Sequence, residues 1–339
     1  YANPHTLIAV RLVSRDARHP FAPSLIRHRL KVALALRERL YDAPFYRAVF
    51  AESDGLPGLV VDRYGEVLAV QVTTAGMERM SEVILDALER ALRPAGIWLR
   101  NDTAQRELEG LECYSRCARG ECPESVVIRE GTLEFEVPVA GGQKTGWFYD
   151  QRDNRRELGR YVQGARVLDV FSYLGGWGLQ AVAQGAAQAI CVDASERAID
   201  GVLANARRNG LEDRIGVIED NAFEALRGLR DEGERFDVVI VDPPAFIKRR
   251  KDVKNGLAAY RRINELAMRL IDRDGFLVSC SCSHHLREEA LVEQLWGAAR
   301  HIDRRMQILA RGGQSADHPV HPAIPETAYL KAVFARIHR

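Results

Sequence analysis

The stretch that decides the fold reads Leu168-Asp169-Val170-Phe171-Ser172-Tyr173-Leu174-Gly175-Gly176-Trp177-Gly178. The apolar run Val167–Phe171 predicts a buried strand, and the glycines after it predict a tight turn into a helix. Residues Gly176–Ala181 fit the G-x-G-x-x-A pattern of dinucleotide-binding turns, although a plain strand–helix turn would give the same pattern. In a doubly wound sheet, a ligand lies beyond such a strand end.

Strands and helices alternate from this stretch to the C-terminus. The predicted strands are Val167–Phe171, Ala189–Asp193, Ile215–Ile218, Val238–Asp242 and Phe276–Ser281. The spacing leaves room for helices such as Glu196–Asn209, and a strand pair around Glu130-Gly131-Thr132 comes before them. This alternation predicts an α/β fold with a mostly parallel, doubly wound sheet.

The N-terminal side predicts a smaller α+β domain. Strands are predicted at Leu7–Val13, Tyr46–Glu52, Leu59–Asp62, Val67–Val72 and Ile97–Arg100. Helices are predicted from an N-cap at Ser24 to Tyr41, and over Met77–Leu92. The expected division is a terminal remnant at residues 1–16, a linker helix at 17–42, the α+β domain at 43–124 and the α/β domain at 125–339.

Composition narrows the functional classes. Of 339 residues, 46% are hydrophobic and 28% charged, which is the balance of a globular protein of two or three domains. No apolar run reaches membrane-spanning length and the first residues do not resemble a signal peptide, so the cytoplasm is expected. The net charge of +1 does not indicate a nucleic-acid binder. Only the run Lys248–Lys251 offers a basic patch, and most such runs are solvated loops.

Three of the six cysteines lie close together in the sequence. Cys113, Cys117 and Cys122 have the spacing C-x3-C-x4-C, which raises the possibility of a zinc or iron–sulfur site. This spacing lacks the paired C-x2-C of zinc sites, and no fourth ligand is evident. We therefore expect three free thiols on a loop and no metal.

Acidic residues end the predicted parallel strands. Asp193 can accept hydrogen bonds from ribose hydroxyls, and Asp220 could meet an adenine amino group. The segment Asp242-Pro243-Pro244-Ala245-Phe246 ends the fourth strand, where the prolines stop the ladder and project Asp242 and Phe246 into the crevice. A carboxylate can hold a base edge and a ring can stack on a base. This pair favours a nucleic-acid base methyltransferase over a dehydrogenase, with a structural turn as the alternative.

The fifth strand ends in Val278-Ser279-Cys280-Ser281-Cys282-Ser283. Carbon 5 of cytosine is a poor nucleophile, and a thiolate that adds to carbon 6 activates it, whereas exocyclic nitrogens need no such attack. A cysteine here therefore favours carbon methylation. Cys282 lies further toward the crevice than Cys280, so Cys282 is the expected nucleophile and Cys280 the packing or auxiliary thiol.

The segment Gln143–Arg152, with the sequence Q-K-T-G-W-F-Y-D-Q-R, resembles the motif before the methyltransferase domain in the ribosomal RNA large-subunit methyltransferase I family. Other segments match the same family in order: Gly55–Asp62, Asp169–Gly178, Asp242–Phe246, Ser281-Cys282-Ser283, Asp317-His318-Pro319 and Pro325-Glu326. The resemblance covers nearly the whole chain. The related guanine-N7 methyltransferases share the Q-K-T-G and D-P-P segments but lack the cysteine.

The resemblance implies a PUA domain, a small α+β domain and a Rossmann-like class I S-adenosylmethionine (SAM) methyltransferase domain. Only Asn3–Asp16 resembles the last PUA strand, so most of that RNA-binding barrel is expected to be missing from this chain. The implied reaction is methylation of carbon 5 of a cytosine in 23S ribosomal RNA, with SAM as cofactor. A homodimer is possible.

Residue roles are carried over from the resemblance by position. The implied SAM-binding residues are Phe171, Ser172, Leu174, Gly176, Asp193, Asp220 and Asp242. The implied catalytic residues are Cys282 and Asp242, the latter holding the cytosine at N3 and its amino group. The resemblance implies that Lys144, Thr145 and Arg152 close the pocket or meet the RNA backbone. The other candidate RNA-binding residues come from the sequence itself: Pro243 and Phe246 from the D-P-P-A-F segment, and Lys248 and Arg249 from the basic run.

Three other functions fit parts of the sequence. The first is nitrogen methylation of an rRNA guanine or adenine. The second is a non-catalytic, RNA-binding ribosome-assembly factor that holds SAM without turnover. An NAD dehydrogenase is the third, and SAM binding would exclude it.

Overall fold

The computed structural model describes residues 1–6, 8–16 and 18–339, and the chain divides into two compact units. The N-terminal unit comprises Tyr1–Glu130, Glu136–Asp150 and Ser315–Thr327, and the C-terminal unit comprises Gly131–Phe135, Gln151–Gln314 and Ala328–Arg339. The four-part division expected from the sequence stays a prediction.

The N-terminal unit is built on a five-stranded sheet. Its helices are α1 (Pro23–Leu40), α2 (Ala75–Glu78), α3 (Ser81–Leu92) and α4 (Ala104–Leu108). Its strands are β1 (Phe45–Phe50), β2 (Leu59–Tyr64), β3 (Val67–Val72), β4 (Gly96–Asn101) and β5 (Tyr114–Gly120). They pair in the order β1-β2-β3-β4-β5, with only β3 and β4 parallel. Apolar residues of α1, α3 and the sheet form one buried core.

Several predicted element boundaries move for local reasons. Helix α1 begins at Pro23, before the expected N-cap Ser24, because a proline suits the first helical position. Strand β1 ends at Phe50, since Ala51 has a φ of 40° and starts a 3-10 turn. The helix expected over Met77–Leu92 is two helices, because Met80 has φ −104° and ψ 9°, outside the helical region.

The predicted strand Leu7–Val13 is wrong for residues 8–13, and Leu7 lies outside the described residues. The described part of the N-terminus pairs only through one isolated bridge, Ala2 with Val10. Val10 is 70% exposed, so this apolar segment lacks the second layer that a stable strand needs. Arg11 holds the segment to Glu109 by a 2.7 Å ion pair. The PUA remnant stays a prediction.

Buried ion pairs organise the N-terminal unit. Arg37 pairs with Asp54 and Arg47 with Asp62, each at 2.7 Å. Asp317 accepts the backbone N–H of Arg47 at 2.9 Å, and its carbonyl accepts a guanidinium N–H of Arg37 at 2.7 Å. The Asp317-His318-Pro319 motif therefore stabilises this unit, since removing one partner of such a network leaves a buried charge.

The cysteine cluster differs from the expected three free thiols on a loop. Cys117 lies on β5 and forms a disulfide with Cys122, while Cys113 is free and exposed. Gly120, with a φ of 60°, turns the chain so that Cys122 returns beside the end of β5. Among the described residues, no group of histidine, cysteine and acidic side chains could hold a metal ion.

A hairpin of β6 (Ser125–Glu130) and β7 (Leu133–Pro138) precedes the C-terminal unit's main sheet. The strands of that sheet are β8 (Arg166–Val170), β9 (Gln188–Asp193), β10 (Ile215–Glu219), β11 (Phe236–Val241), β12 (Ile271–Ser281), β13 (Arg305–Gly312) and β14 (Lys331–His338). The helices are α5 (Arg152–Leu158), α6 (Gly176–Ala183), α7 (Glu196–Arg208), α8 (Ala222–Asp231), α9 (Val253–Leu270) and α10 (Glu288–His301).

The seven-stranded sheet has the order β10-β9-β8-β11-β12-β14-β13. Strands β8 to β12 are parallel, which confirms the predicted α/β fold. Strand order reverses at β8, because β9 and β10 extend to one side and β11 and β12 to the other. A crevice at such a switch point is where ligands bind. The sequence did not indicate antiparallel β14, which inserts between β12 and β13. No helix in the described residues is long and apolar enough to cross a membrane.

Candidate active site

The turn after β8 has an unusual backbone. Phe171 and Tyr173 have φ values of 69° and 50°, a left-handed conformation that costs free energy for residues with a Cβ. The backbone N–H groups of Phe171 and Ser172 both donate to the carbonyl of Val192, at 2.9 and 3.0 Å. These bonds tie the turn to the end of β9 and hold the strained residues in place. Gly175, with a φ of 79°, leads into α6.

Asp193 is the last residue of β9, and Asp220 directly follows the last residue of β10. The half-buried Asp193 carboxylate accepts the backbone N–H of Tyr173 at 2.9 Å and that of Ser195 at 3.1 Å, one on each oxygen. Each oxygen keeps a second lone pair, which suits the two hydroxyls of a ribose. Asp220 is exposed and donates its N–H to the Asp193 carbonyl at 3.1 Å.

Buried polar atoms without partners lie at the end of β8. Asp169 is fully buried, and one of its oxygens accepts the N–H of Gly178 at 2.9 Å. Within the described residues, its other oxygen and the Ser172 hydroxyl have no hydrogen-bond partner. Burial raises the pKa of Asp169 to about 7, with further contributions from the negative charges of Asp242 and Asp193. A buried carboxylate and a buried hydroxyl suit a polar ligand that carries a positive charge, and SAM is such a ligand.

Two neighbours that the sequence reasoning missed orient Asp242. Gln151 Nε2 and Trp177 Nε1 donate to the same Asp242 oxygen, at 2.9 and 3.0 Å. Asn154 in turn donates to Gln151 Oε1 at 2.6 Å. Gln151 belongs to the Q-K-T-G-W-F-Y-D-Q-R motif and Trp177 to the glycine turn. Membership of these two motifs is therefore the sequence signal from which the role of Gln151 and Trp177 could have been found.

Phe246 is half-buried in an aromatic cluster. Its ring lies 4.9 Å from that of Tyr260, 6.4 Å from Phe171 and 6.5 Å from Phe223, measured between centroids. Pro243 is buried beside Asp242. The cluster supports the Phe246 ring from several sides, so it can present a fixed edge or face to a ligand.

The two cysteines of β12 have different environments. Cys280 is fully buried, and burial together with the charge of Asp242 raises the pKa of its thiol well above the usual range. Cys282 follows the last residue of β12 and is partly exposed. A reactive thiol needs access and a stabilised thiolate, so this difference supports Cys282 as the nucleophile.

A hydroxyl network shapes the turn around Cys282. Ser281 Oγ donates to Tyr260 Oη at 2.8 Å, and Tyr260 Oη and Ser283 Oγ are hydrogen-bonded at 2.9 Å. Ser283 Oγ also accepts the backbone N–H of Ile247 at 3.2 Å. This network links the residues on both sides of Cys282 to α9 and to the segment after β11.

The predicted RNA-binding residues do not all share one unit. Lys144 lies in the N-terminal unit, where it pairs with Asp150 at 2.8 Å. Thr145, in the same unit, is fully buried and its hydroxyl donates to Asp62. We therefore leave Thr145 out of the proposed RNA-binding set.

The remaining predicted RNA-binding residues lie in the C-terminal unit. Arg152 begins α5 and is partly buried. Lys248 and Arg249 are exposed, and Arg249 pairs with Asp252 at 3.0 Å.

The comparisons with known proteins agree with this geometry. The profile of the S-adenosylmethionine-dependent methyltransferase family matches residues 88–336. Ribosomal RNA large subunit methyltransferase I of Photobacterium profundum is 37% identical, over 97% of this chain and 84% of that protein. The protein of that name from Klebsiella pneumoniae is 35% identical, over 99% and 85%.

Solved structures share the fold. SMU.776 complexed with SAH has a TM-score of 0.84 at 20% identity, over 96% of this chain and 84% of that one. The SAM-dependent methyltransferase from Agrobacterium tumefaciens has a TM-score of 0.60 at 19% identity, over 83% and 87%. The chain therefore belongs to the S-adenosylmethionine-dependent methyltransferases and, among them, to the family of ribosomal RNA large subunit methyltransferase I.

Proposed function

We propose that this protein methylates carbon 5 of a cytosine in 23S ribosomal RNA, in the cytoplasm. One observation carries the proposal: a partly exposed cysteine follows β12, next to the strand that Asp242 ends. Strands β11 and β12 are parallel neighbours, so their carboxyl ends lie at the same edge of the sheet. The proposal is supported by the raised pKa of the Cys280 thiol, two residues before Cys282, to which the charge of Asp242 contributes after burial.

Residues at the carboxyl ends of β8, β9 and β10 would hold SAM. Asp193 would bind the ribose and Asp220 the adenine amino group. The proposed methionine site consists of Phe171, Ser172, Leu174 and Gly176. When bound, SAM supplies an electrophilic methyl group on a sulfonium. The ionised Asp169 would compensate the positive charge of that group.

Cys282 and Asp242 would act on the base. The Cys282 thiolate adds to carbon 6, so an S–C6 bond forms and the C5=C6 electron pair is displaced toward N3, leaving carbon 5 nucleophilic. Asp242 would take up a proton from water as the base binds, donate it to N3 and accept from the exocyclic amino group with its other oxygen, which stabilises the displaced charge; the proton returns when the C5=C6 bond re-forms. After carbon 5 gains its methyl group, it loses its proton to water, the C5=C6 bond re-forms and the thiolate leaves.

Basic side chains would position the RNA. Lys248 and Arg249 begin an exposed run of four basic residues just beyond the Asp242–Phe246 segment. Phosphate contacts fix register without reading sequence. We include Lys144 and Arg152 in this set, and Pro243 and Phe246 as residues that meet the base. The homodimer stays a prediction.

Nucleoside mass spectrometry after incubation with SAM and unmodified 23S rRNA tests the proposal. Wild type should yield 5-methylcytidine. Cys282→Ser should lower the yield by at least about 10³-fold, because a hydroxyl is scarcely ionised near neutral pH. Cys280→Ser, the matched control, should keep substantial activity.

Two results would contradict the proposal. A methylated guanine or adenine would establish nitrogen methylation instead. SAM binding with no RNA product would indicate the non-catalytic factor.

A further inference from the structure

A buried lysine lies beside the proposed nucleophile. Lys331 is the first residue of β14 and is 8% exposed. Its ammonium donates to the carbonyls of Ser283 and Tyr329, both at 2.7 Å. In the described part of the chain, Lys331 forms no ion pair. A buried ammonium with only carbonyl partners is costly, and a nearby negative charge offsets part of that cost.

Strand pairing brings this lysine to the cysteine. In the antiparallel pair of β12 and β14, Lys331 lies opposite Ser281. Cys282 comes next in the chain, and the carbonyl that Lys331 holds belongs to the residue after it, Ser283. Lys331 thus contacts the Cys282 turn in two ways: its backbone lies in register with the residue before Cys282, and its ammonium binds the carbonyl of the residue after it.

We propose that the Lys331 ammonium is the cation that stabilises the Cys282 thiolate and holds its turn in place. This inference rests on Cys282 being the nucleophile of the proposed function. Lys331 is a positioning residue, because it acts through the thiol and not on the base. A neighbouring lysine is one of the established means of lowering a thiol pKa.

Electrostatics around Lys331 agrees with this role. Burial lowers the pKa of Lys331 to about 8, against the opposing effects of the Cys282 thiolate and then Glu288. Cys280 on β12 and Tyr260 on α9 are titratable groups that interact with the charge of Cys282; burial is the main cause of their raised pKa values, and the charge of Asp242 raises that of Cys280 further. Exposed His284 also follows in the same loop. Below about pH 8 the ammonium is present, so thiolate stabilisation is expected there and is lost at higher pH.

The rate of alkylation by iodoacetamide, measured from pH 5.5 to 9.5, tests this directly. Peptide mapping gives a separate rate for each thiol. The exposed Cys113 is an internal reference, and fragmentation of the peptide Asp274–Arg287 separates Cys282 from the buried Cys280. We expect an apparent pKa for Cys282 about one unit below that of Cys113. An apparent pKa equal to or above that of Cys113 would overturn the proposal without any variant.

Variants that remove or keep the charge of Lys331 give a second test of the proposal. Lys331→Met should raise the apparent pKa of Cys282 by about one unit, hence about tenfold slower alkylation at pH 7. Lys331→Arg keeps the charge and should restore a profile close to wild type. Lys254→Met, which removes an exposed lysine of α9, is the matched control and should change nothing. A folded Lys331→Met protein with an unchanged profile would also overturn the proposal.

The alkylation assay needs neither RNA nor turnover, so its outcome is independent of the proposed reaction. Thermal unfolding and SAM calorimetry on each variant show whether it is folded. If Cys282 alkylates as expected but no 5-methylcytidine forms, the proposed function fails and the thiolate pairing stands. If 5-methylcytidine forms and the Lys331→Met profile is unchanged, only the pairing fails.

Discussion

Asp169→Asn should stabilise the ligand-free protein while weakening SAM binding. The carboxylate is fully buried, keeps one oxygen without a partner in the described structure, and has a pKa raised by burial from 3.8 to about 7. Asparagine can still accept the N–H of Gly178, but it carries no charge. The substitution therefore removes the cost of a buried ionised group.

The pKa difference sets the size and the pH window of this effect. The folded pKa lies above the unfolded one, so the penalty begins as pH rises above 3.8, grows until about 7 and is constant beyond. At 1.36 kcal/mol per pH unit, this cost reaches about 4 kcal/mol at pH 8 and only about 1.5 kcal/mol at pH 5. We therefore expect the stabilisation from Asp169→Asn to be larger at pH 8 than at pH 5.

Urea unfolding of ligand-free wild type and Asp169→Asn at both pH values measures this difference. Asp200→Asn, which neutralises an exposed carboxylate on α7, is the matched control and should change stability little at either pH. Calorimetry should show weaker SAM binding to Asp169→Asn. A variant that is less stable than wild type at pH 8, or equally stabilised at both pH values, would refute the reasoning.

Three further outcomes follow from the same site. Asp193→Ala should weaken SAM binding by about 10- to 100-fold in calorimetry, because it removes the proposed ribose contact; unchanged affinity would place the ribose elsewhere. Replacing all four residues of Lys248–Lys251 with alanine should flatten the slope of log RNA affinity against log salt by up to about three units. An unchanged slope would mean that these four residues form a solvated loop that does not bind RNA. Cys280→Ser should keep SAM binding, since Cys280 is buried and the cofactor would lie at the end of β8.

The sequence predicted the parts of the fold that depend on local patterns. The glycine turn after Val170, the acidic strand ends and the D-P-P-x-F segment all follow directly from residue types and spacing. Strands β8 to β12 were predicted because each is a short apolar run between turn signals. The family resemblance rests on the same segments, so the residue patterns and the resemblance predicted the same fold.

Long-range pairing was beyond the sequence reasoning. Lys331 is 49 residues from Cys282 in the chain, and only the antiparallel insertion of β14 brings them together. The disulfide between Cys117 and Cys122 likewise depends on β5 and on the turn at Gly120. The apolar run near Val10 resembled a strand, but the described structure gives it only one bridge. Periodicity indicates whether a segment prefers to be a helix or a strand, but it does not indicate which other segment it pairs with.

The central claim is that the Cys282 thiolate adds to carbon 6 of the target cytosine. RNA that carries 5-fluorocytosine tests it most directly, because fluorine replaces the proton whose loss precedes release of the thiolate. We predict a SAM-dependent protein–RNA complex that survives a denaturing gel with wild type and Cys280→Ser and is absent with Cys282→Ser. A complex that persists in Cys282→Ser, or no complex with an active wild-type enzyme, would contradict the account.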